Sequence, residues 1–447
     1  MTSAIPQGMA RLLLYAGLAH GALMAQTPQI SQTAITTAEE LIAATRNNKV
    51  TEINISADLA DLSPLRLMPG QTLRSASDRH KVLSFRPDVD GLEVTTDNSM
   101  FGLDVRVTPT QRAIWNDRTV DSLGTLAIRS VRTIGSVQII ATDKVRSGRI
   151  EVDGLDIRSA DTRGERERPH AYGVSVLQGA FTLWNLQFDE KVVISADLVN
   201  LSAGRFGAPV PGTGIFVAGA GERSGQLNVE RLETSAVYID GRITPGTPDQ
   251  IAGGVFVVYG SYVDSVRNLG PTITYGANDM ALDNWGSVDR WVSKGKVATY
   301  GESGVGFVNF GRIRDLCLLE PIETFGQGAR GFNVYEGTIG NAEFDRIVTH
   351  GDGAVGVQIS QPIGTLVVRR GIETFGGIGP SLVKGVVQNL SATALSVKPG
   401  GSAHLISVDG NIETRGPRVL PIEILGSIGS LHIHGVSFHN PLGTERI

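Results

Sequence analysis

With 447 residues the chain is long enough for several globular domains or for one continuous repeat architecture. A formal charge of -5 and a pI near 5.9 leave no basic footprint for nucleic acid, and the single cysteine, Cys317, excludes internal disulfides and a cysteine-based metal site. Gly is abundant at 55 residues and charged residues are sparse at 19%, which suits many tight corners and few helices; no Gly-X-Y period points to collagen.

In chain order, an apolar stretch from Leu12 to Ala25 follows a lone Arg11, is short for a bilayer span and ends in small residues. It reads as a signal peptide over residues 1–25, which places the mature chain outside the cytoplasm or in a periplasm if it is cleaved, and in the cytoplasm otherwise. No other stretch is a membrane candidate. After a linker at 26–36, Thr37 and Glu40 form a capping box that predicts a helix over 37–49, with Leu41, Ile42 and Ala44 on its apolar face. Such a helix can cover the open end of a stack of strands. Short strands are predicted from Val50 onward, at Val50 to Ile55, Leu65 to Leu67, Thr72 to Arg74, Gly91 to Thr95, Gly102 to Val107, Thr125 to Arg129 and Ser136 to Ala141.

From Thr274 the tripeptide Thr-aromatic-Gly recurs every 25 residues: Thr274, Tyr275, Gly276; Thr299, Tyr300, Gly301; Thr324, Phe325, Gly326; Thr349, His350, Gly351; Thr374, Phe375, Gly376. Each copy is followed by a second apolar run (Gly306 to Phe310, Gly331 to Val334, Gly356 to Ile359) and a third (Val288 to Trp291, Ile313 to Leu316, Thr365 to Val368). Three short strands per repeat leave no room for helices, and one repeat cannot bury its own apolar face, so the repeats must stack. The fold predicted for 50–440 is all-β: one right-handed parallel β-helix of about 25-residue coils, with coils about 4.8 Å apart. Alternation from the inward Ile points Thr inward and the aromatics outward as a column. The Gly after each aromatic is read as a corner residue with positive φ.

Upstream, the second strand is read at Gly173 to Val176, Gly214 to Val217 and Gly254 to Val257, spaced by 41 and 40 residues. The extra residues form long loops at 159–172, 203–213 and 244–253, a wall beside a shorter open face where a cleft can form. Downstream, Ile412, Glu413 and Thr414 echo the repeat 40 residues late, after an apolar insertion at 380–400. Trp184, Trp285 and Trp291 lie in strands and read as packing residues.

The order of helix, strand, "LRLMPGQTLRS" and "DGLEVTTDNSMFGLDVRV", together with the repeats, resembles the pectin-lyase-like superfamily of right-handed β-helices across most of residues 37–440. The resemblance implies carbohydrate chemistry. It carries over no catalytic residue: the Trp-Ile-Asp-His run of pectate lyases and the paired-Asp and Gly-His-Gly elements of polygalacturonases are missing, and the nearest fragments, Thr349 to Gly353 and Asp283 to Trp285, do not match them.

Candidate chemistry lies beside the aromatic column. Asp279, Glu302 and Asp352 are catalytic candidates, since carboxylates on stacked corners can hold different pKa values; Glu302 and Asp352, two coils or about 9.6 Å apart, reach the upper separation of inverting glycosidases. Tyr275, Tyr300, Phe325, His350 and Phe375 offer a platform for sugar rings, with Glu323, Arg330 and His170 as further binding candidates. His432, His434 and His439 lack a carboxylate partner, so no metal or other cofactor is called for. The expected activity is glycoside hydrolysis of an oligo- or polysaccharide. A polysaccharide lyase would need a base and a partner for a uronate, with Arg330 the one basic residue seen near this face. A non-catalytic glycan-binding or adhesin solenoid would keep the Thr and Gly columns and vary at Asp279, Glu302 and Asp352; an intracellular scaffold is a third reading if the leader is not cleaved. The predicted partner is a carbohydrate, without nucleic acid or an integral membrane contact; the oligomeric state has no sequence signal.

Overall fold

The computed structural model describes residues 32–383, 385–440 and 443–446. The leader at 1–25 lies outside them, as does part of the linker. Among the described residues the one helix is Ala38–Thr45. The Thr37 hydroxyl accepts from the Glu40 N–H at 3.2 Å while the Glu40 carboxylate accepts from the Thr37 N–H at 3.1 Å, so two N–H groups that the helix cannot satisfy are paired. Leu41 and Ala44 turn inward and are buried on the first coil.

Beyond the helix the chain is a parallel β-helix. Each coil of the regular region contributes three strands to three faces. The first face stacks Thr272–Thr274, Val297–Thr299, Ile322–Thr324, Ile347–Thr349 and Ile372–Thr374, in parallel and with Thr paired to Thr at every step. Thr374 pairs next with Thr414, so the coil that lengthens by an insertion returns to the same register. The third face stacks Ser287–Ser293, Arg312–Leu318, Thr338–Phe344 and Pro362–Val368. We label the second-face strands β1 (Gln250–Val257), β2 (Asp279–Asn284), β3 (Val305–Asn309), β4 (Arg330–Val334) and β5 (Val355–Ile359), each parallel to the next. One continuous apolar core fills the interior, with Leu282, Phe307, Phe332 and Val357 from the second face meeting Trp291, Leu316 and Phe344 from the third.

The Thr column is fully buried and the aromatics lie outside it. Tyr275, Tyr300, Phe325, His350 and Phe375 stack at centroid distances of 5.4, 4.7, 4.6 and 4.9 Å with planes within 13° of parallel. The glycines beside them act differently from the positive-φ reading. Positive φ falls two residues later, at Asn278, Ser303, Gly328 and Gly353. Gly301, Gly326, Gly376 and Gly416 are needed because a Cβ there would lie 1.8 to 1.9 Å from a carbonyl oxygen of the preceding coil. The stack is closest at this corner, and no side chain fits.

One strand assignment is also corrected. The coil strand in the first long-loop repeat is Gly179–Asn185, with Phe181 paired to Ile215, and not Gly173 to Val176. Val174–Val176 instead closes a small hairpin with His170–Ala171 and pairs with Gln250 and Ile251 at the start of β1. The first long loop therefore runs on to residue 178. The apolar Val174 and Val176 mimic a coil strand in sequence, but Ala180 to Trp184 provides the longer buried run. Downstream, the insertion forms an antiparallel hairpin, Ile378–Val383 with Val386–Ser391, before Leu395–Val397 rejoins the second face.

Gly326→Ala should therefore destabilise the chain by about 3 kcal/mol through overpacking against a carbonyl. Gly70→Ala, at φ 77 with nothing within 4 Å, should lose only about 1–2 kcal/mol. Urea unfolding of the two variants checks the order; equal losses would remove the close-approach explanation.

Candidate functional site

On the second face, side chains that alternate away from the core form an outward column: Phe216, Phe256, Asp283, Val308 and Asn333, one per coil in pairing register. All are buried. They are covered because the long loops fold back over this face. Ile140, Val176, Trp184, Phe216, Phe256 and Trp285 make a second apolar cluster there, outside the main core. The cover is fastened by specific bonds. Thr162 donates its hydroxyl to the Gln178 carbonyl at 2.6 Å, the Asn278 amide donates to the Thr247 carbonyl at 2.7 Å, and Ser381 donates to the Gly328 carbonyl at 2.8 Å.

Where this cover thins, over β2 to β4, it leaves a cavity of about 250 Å³. Met280, Val305, Val308 and Phe310 form its floor, Tyr172 and Val174 one side, Pro248 and Ile251 another, and Leu382 with Gly385 of the late hairpin the third. Into this mostly apolar space project Asp283, Arg330, Tyr335 and Glu336.

Asp283 stands where the coils on either side place Phe256 and Val308. It is fully buried, and neither carboxylate oxygen meets a donor at hydrogen-bonding geometry among the described residues. Burial pushes its pKa well above the usual carboxylate range; the neighbouring Trp285 side chain and Asn284 N–H offset only part of that. Burial therefore favours the protonated, neutral form of the Asp283 carboxyl, which can donate a proton.

Arg330 is 2% exposed. Its Nη1 donates to the Gly328 carbonyl at 3.3 Å, while Nε and Nη2 have no partner among the described residues. These two N–H groups form the side-on fork of a guanidinium, the arrangement that takes a carboxylate or a pair of oxygens. The guanidinium carbon lies 5.9 Å from the Tyr335 ring centre. Asn333, in the Asp283 column, is also buried with both amide atoms unpaired. Glu336 is less enclosed and accepts from the Gln361 amide at 2.8 Å. Native interiors seldom leave such polar groups unpaired, and here Asp283 and Arg330 converge on one cavity.

Of the residues singled out from sequence, Arg330 lines this cavity. Glu302 is exposed and lines a smaller cavity of about 60 Å³ beside it, under Ser381 and Leu382. Asp352 is exposed, and its Oδ1 accepts from the Gly377 N–H at 2.7 Å. Asp279 is fully buried, its Oδ2 accepting from Gly276 and Gly241 N–H groups at 2.7 and 3.1 Å, so it braces the corner. His170 sits on the covering hairpin with its Nδ1 3.1 Å from the Ser175 hydroxyl. In the aromatic column each inner ring spends both faces on its neighbours, and Arg415 covers the end ring, Phe375, at 4.8 Å. At Tyr300, Phe325 and His350, edges and not faces are left for solvent. Contrary to the reading of Arg330 as the one nearby cation, Lys296 pairs with Glu323 at 2.6 Å, His350 stands 3.5 Å from the same carboxylate, and Arg346 and Arg415 both pair with Glu373.

Asp283, Glu336, Tyr172 and Tyr335 were missed. The signal for Asp283 is in the register: positions 283, 308, 333 and 358 hold Asp, Val, Asn and Gln on strands buried throughout except at Met280, and a carboxylate in such a run demands a reason. Among the described residues no group of three or more His, Cys, Asp or Glu is placed to hold a metal ion, and no helix is long and apolar enough to cross a membrane. No family model, curated protein or solved structure matches the chain.

Asp279 gives a pH test of its bracing role. Burial raises its pKa to about 7, partly offset by the two backbone N–H donors. Between its unfolded value near 3.8 and about 7 the folded chain holds a proton that the unfolded chain has released. Its stabilisation is thus complete below pH 3.8 and is lost as pH rises to about 7, a span of roughly 4 kcal/mol. Asp283 adds a slope of the same sign. Asp279→Asn should flatten the stability profile between pH 4.5 and 7.5 relative to wild type, measured by urea unfolding. Parallel profiles would mean that the group is not buried in the folded chain.

Proposed function

We propose that this β-helix is a carbohydrate-active protein of the pectin-lyase-like kind, and that its sugar site is the covered cavity over β2 to β4. The observation that carries the reading is the convergence of buried, unpaired Asp283 and Arg330 on a small cavity walled by Tyr172, Phe310 and Tyr335. Aromatic walls offer faces to the C–H side of a sugar ring, and planar carboxyl and guanidinium groups match pairs of hydroxyls or a carboxylate. The cavity volume is near the lower end for ligand sites, enough for about one ring, which favours recognition of a single sugar unit over a long groove.

Hydrolysis follows from the same geometry. Asp283, kept protonated by burial, is the proton donor to a glycosidic oxygen. Glu336, more open to water, is the base that activates the attacking water. The two lie two coils apart along the axis, nominally about 9.6 Å, and Glu336 stands three residues further along its coil than the register partner of Asp283, a spacing wider than the 5 to 5.5 Å of retaining enzymes. Arg330 positions the sugar between them. This reading moves the chemistry from the corner carboxylates to the second face.

Incubation of the chain with a panel of oligo- and polysaccharides, read by mass spectrometry for new fragments, is the test. Asp283→Asn and Glu336→Gln should each lower kcat by about 10²–10⁴ while ligand is still retained. Full activity in both variants, with loss in Glu302→Gln or Asp352→Asn, would return the site to the corner. Retention of glycan without any cleavage by the wild type would make the protein a binding solenoid.

A further inference from the structure

A second concavity, about 370 Å³, lies on the other side of Tyr172 from the inner cavity. Tyr172, Trp285 and Phe310 are shared between the two or form the wall between them: Tyr172 and Phe310 line both, and Trp285 lines the outer one while its side chain also neighbours Asp283. Tyr172 stands edge-on to Trp285 at 5.2 Å and against Phe310 at 4.6 Å. On the outer side Tyr259 stacks on Trp285 at 6.2 Å, and the rim carries Glu222, Arg223 and Arg312. The outer cleft is thus aromatic-walled and polar-rimmed, and it abuts the inner cavity across Tyr172 and Phe310, of which Tyr172 is the one side chain carried by the covering hairpin.

That side chain is held at a local cost. Tyr172 and Gly173 are the two central residues of the tight hairpin between His170–Ala171 and Val174–Val176, with φ of 53 and 83. Positive φ at both positions is the type I′ turn, whose first position ordinarily takes Asn, Asp or Gly. An aromatic residue there is disfavoured by about 1–2 kcal/mol. Half of the Tyr172 surface remains exposed, at 48%, so burial alone does not explain its placement. Strain at a position facing two cavities is the pattern of a ligand-contacting residue.

Resting on the saccharide reading above, we infer that the ligand is a linear saccharide held by its end. Its terminal unit occupies the inner cavity at Arg330 and Asp283, the adjoining unit occupies the outer cleft against Trp285 and Tyr259, and Tyr172 contacts the ligand at the junction. The protein therefore recognises a chain end of at least two units, and a monosaccharide fills only half of the site.

The test is calorimetric titration of the full chain with cello-, xylo-, manno-, chito- and galacturono-oligosaccharides of one to four units. For the series that binds, affinity should rise about tenfold from the monosaccharide to the disaccharide, the gain of one aromatic contact. Tyr172→Asn, which suits the turn better, should erase that gain by weakening the disaccharide more than the monosaccharide, and should not lower the thermal midpoint. Tyr172→Phe should keep most of the gain. Arg330→Met should weaken every length alike. Equal affinity for one and two units, or an equal loss at all lengths in Tyr172→Asn, overturns the two-compartment inference while leaving the inner site standing. Binding that is unaffected by Arg330→Met and Asp283→Asn overturns the inner site itself, and failure of every series to bind counts against both.

Discussion

Every feature of this molecule depends on how closely successive coils approach at the corner after each inward threonine. There the Cα of one glycine lies against the carbonyl oxygen of the glycine one coil earlier, closer than any side chain would allow. Strand pairing asks for about 4.8 Å between coils on all three faces at once. A corner that held its coils further apart would break pairing on the faces it joins. Glycine at this point lets the chain close its turn within that spacing, and so fixes the phase of the 25-residue repeat. Once phase is fixed, each position of the repeat becomes a column: threonines inside, aromatics outside, carboxylates or amides where the sequence places them.

The columns explain why the cavity forms where it does. On most β-helix surfaces an outward column faces water and can be polar. On the second face the outward column is Phe216, Phe256 and Val308, with Trp184 and Trp285 beside it, too apolar to be left bare. The long loops and the late hairpin cover it, and the cover comes from three parts of the sequence: 160–178, 244–251 and 378–391. Three independent flaps meeting over one sheet leave a gap where they meet. The polar groups of Asp283 and Arg330 are at this gap, not beneath the well-packed cluster around Phe216 and Phe256. Had the loops evolved only to cover apolar surface, hydrophobic residues at 283 and 330 would have packed better, since replacing buried charges by apolar groups is often neutral or stabilising.

Much of the architecture was legible because it is periodic. Five copies of Thr-aromatic-Gly set the coil length, and the echo at Ile412 to Thr414 set the return after the insertion; each is a local signal repeated until it is unambiguous. What could not be read was whatever depends on contact between segments far apart in sequence. Val174 to Val176 has the composition of a coil strand, and only the pairing of Gln250 and Ile251 with it reveals a flap. The corner carboxylates drew attention because they are charged and periodic, yet Asp279 is taken up by two backbone N–H groups and Glu323 and Glu373 by cations from adjoining coils. In the sequence Asp283 stands out only as part of a fragment, Asp283 to Trp285, that fits no catalytic run. A charge count finds solvated carboxylates; an unpaired one shows itself only when the cover over it is known.

The energetics join these observations. A buried, unpaired Asp283, an unpaired Arg330 fork and a tyrosine in a left-handed turn are each unfavourable on their own, by amounts that would unfold a marginal domain if they occurred together in its core. In a solenoid they are tolerated, because each coil is held by pairing to its neighbours on three faces and a defect in one coil is bounded by sound coils on either side. The regular stack before and after β2 to β4 thus supplies the rigidity, and the irregular cover supplies the groups that have not yet found partners. A ligand that fills the cavity would satisfy Asp283 and Arg330 together. Its binding would therefore stabilise the same three coils that these unpaired groups weaken, so that recognition and local stability are two sides of one interaction.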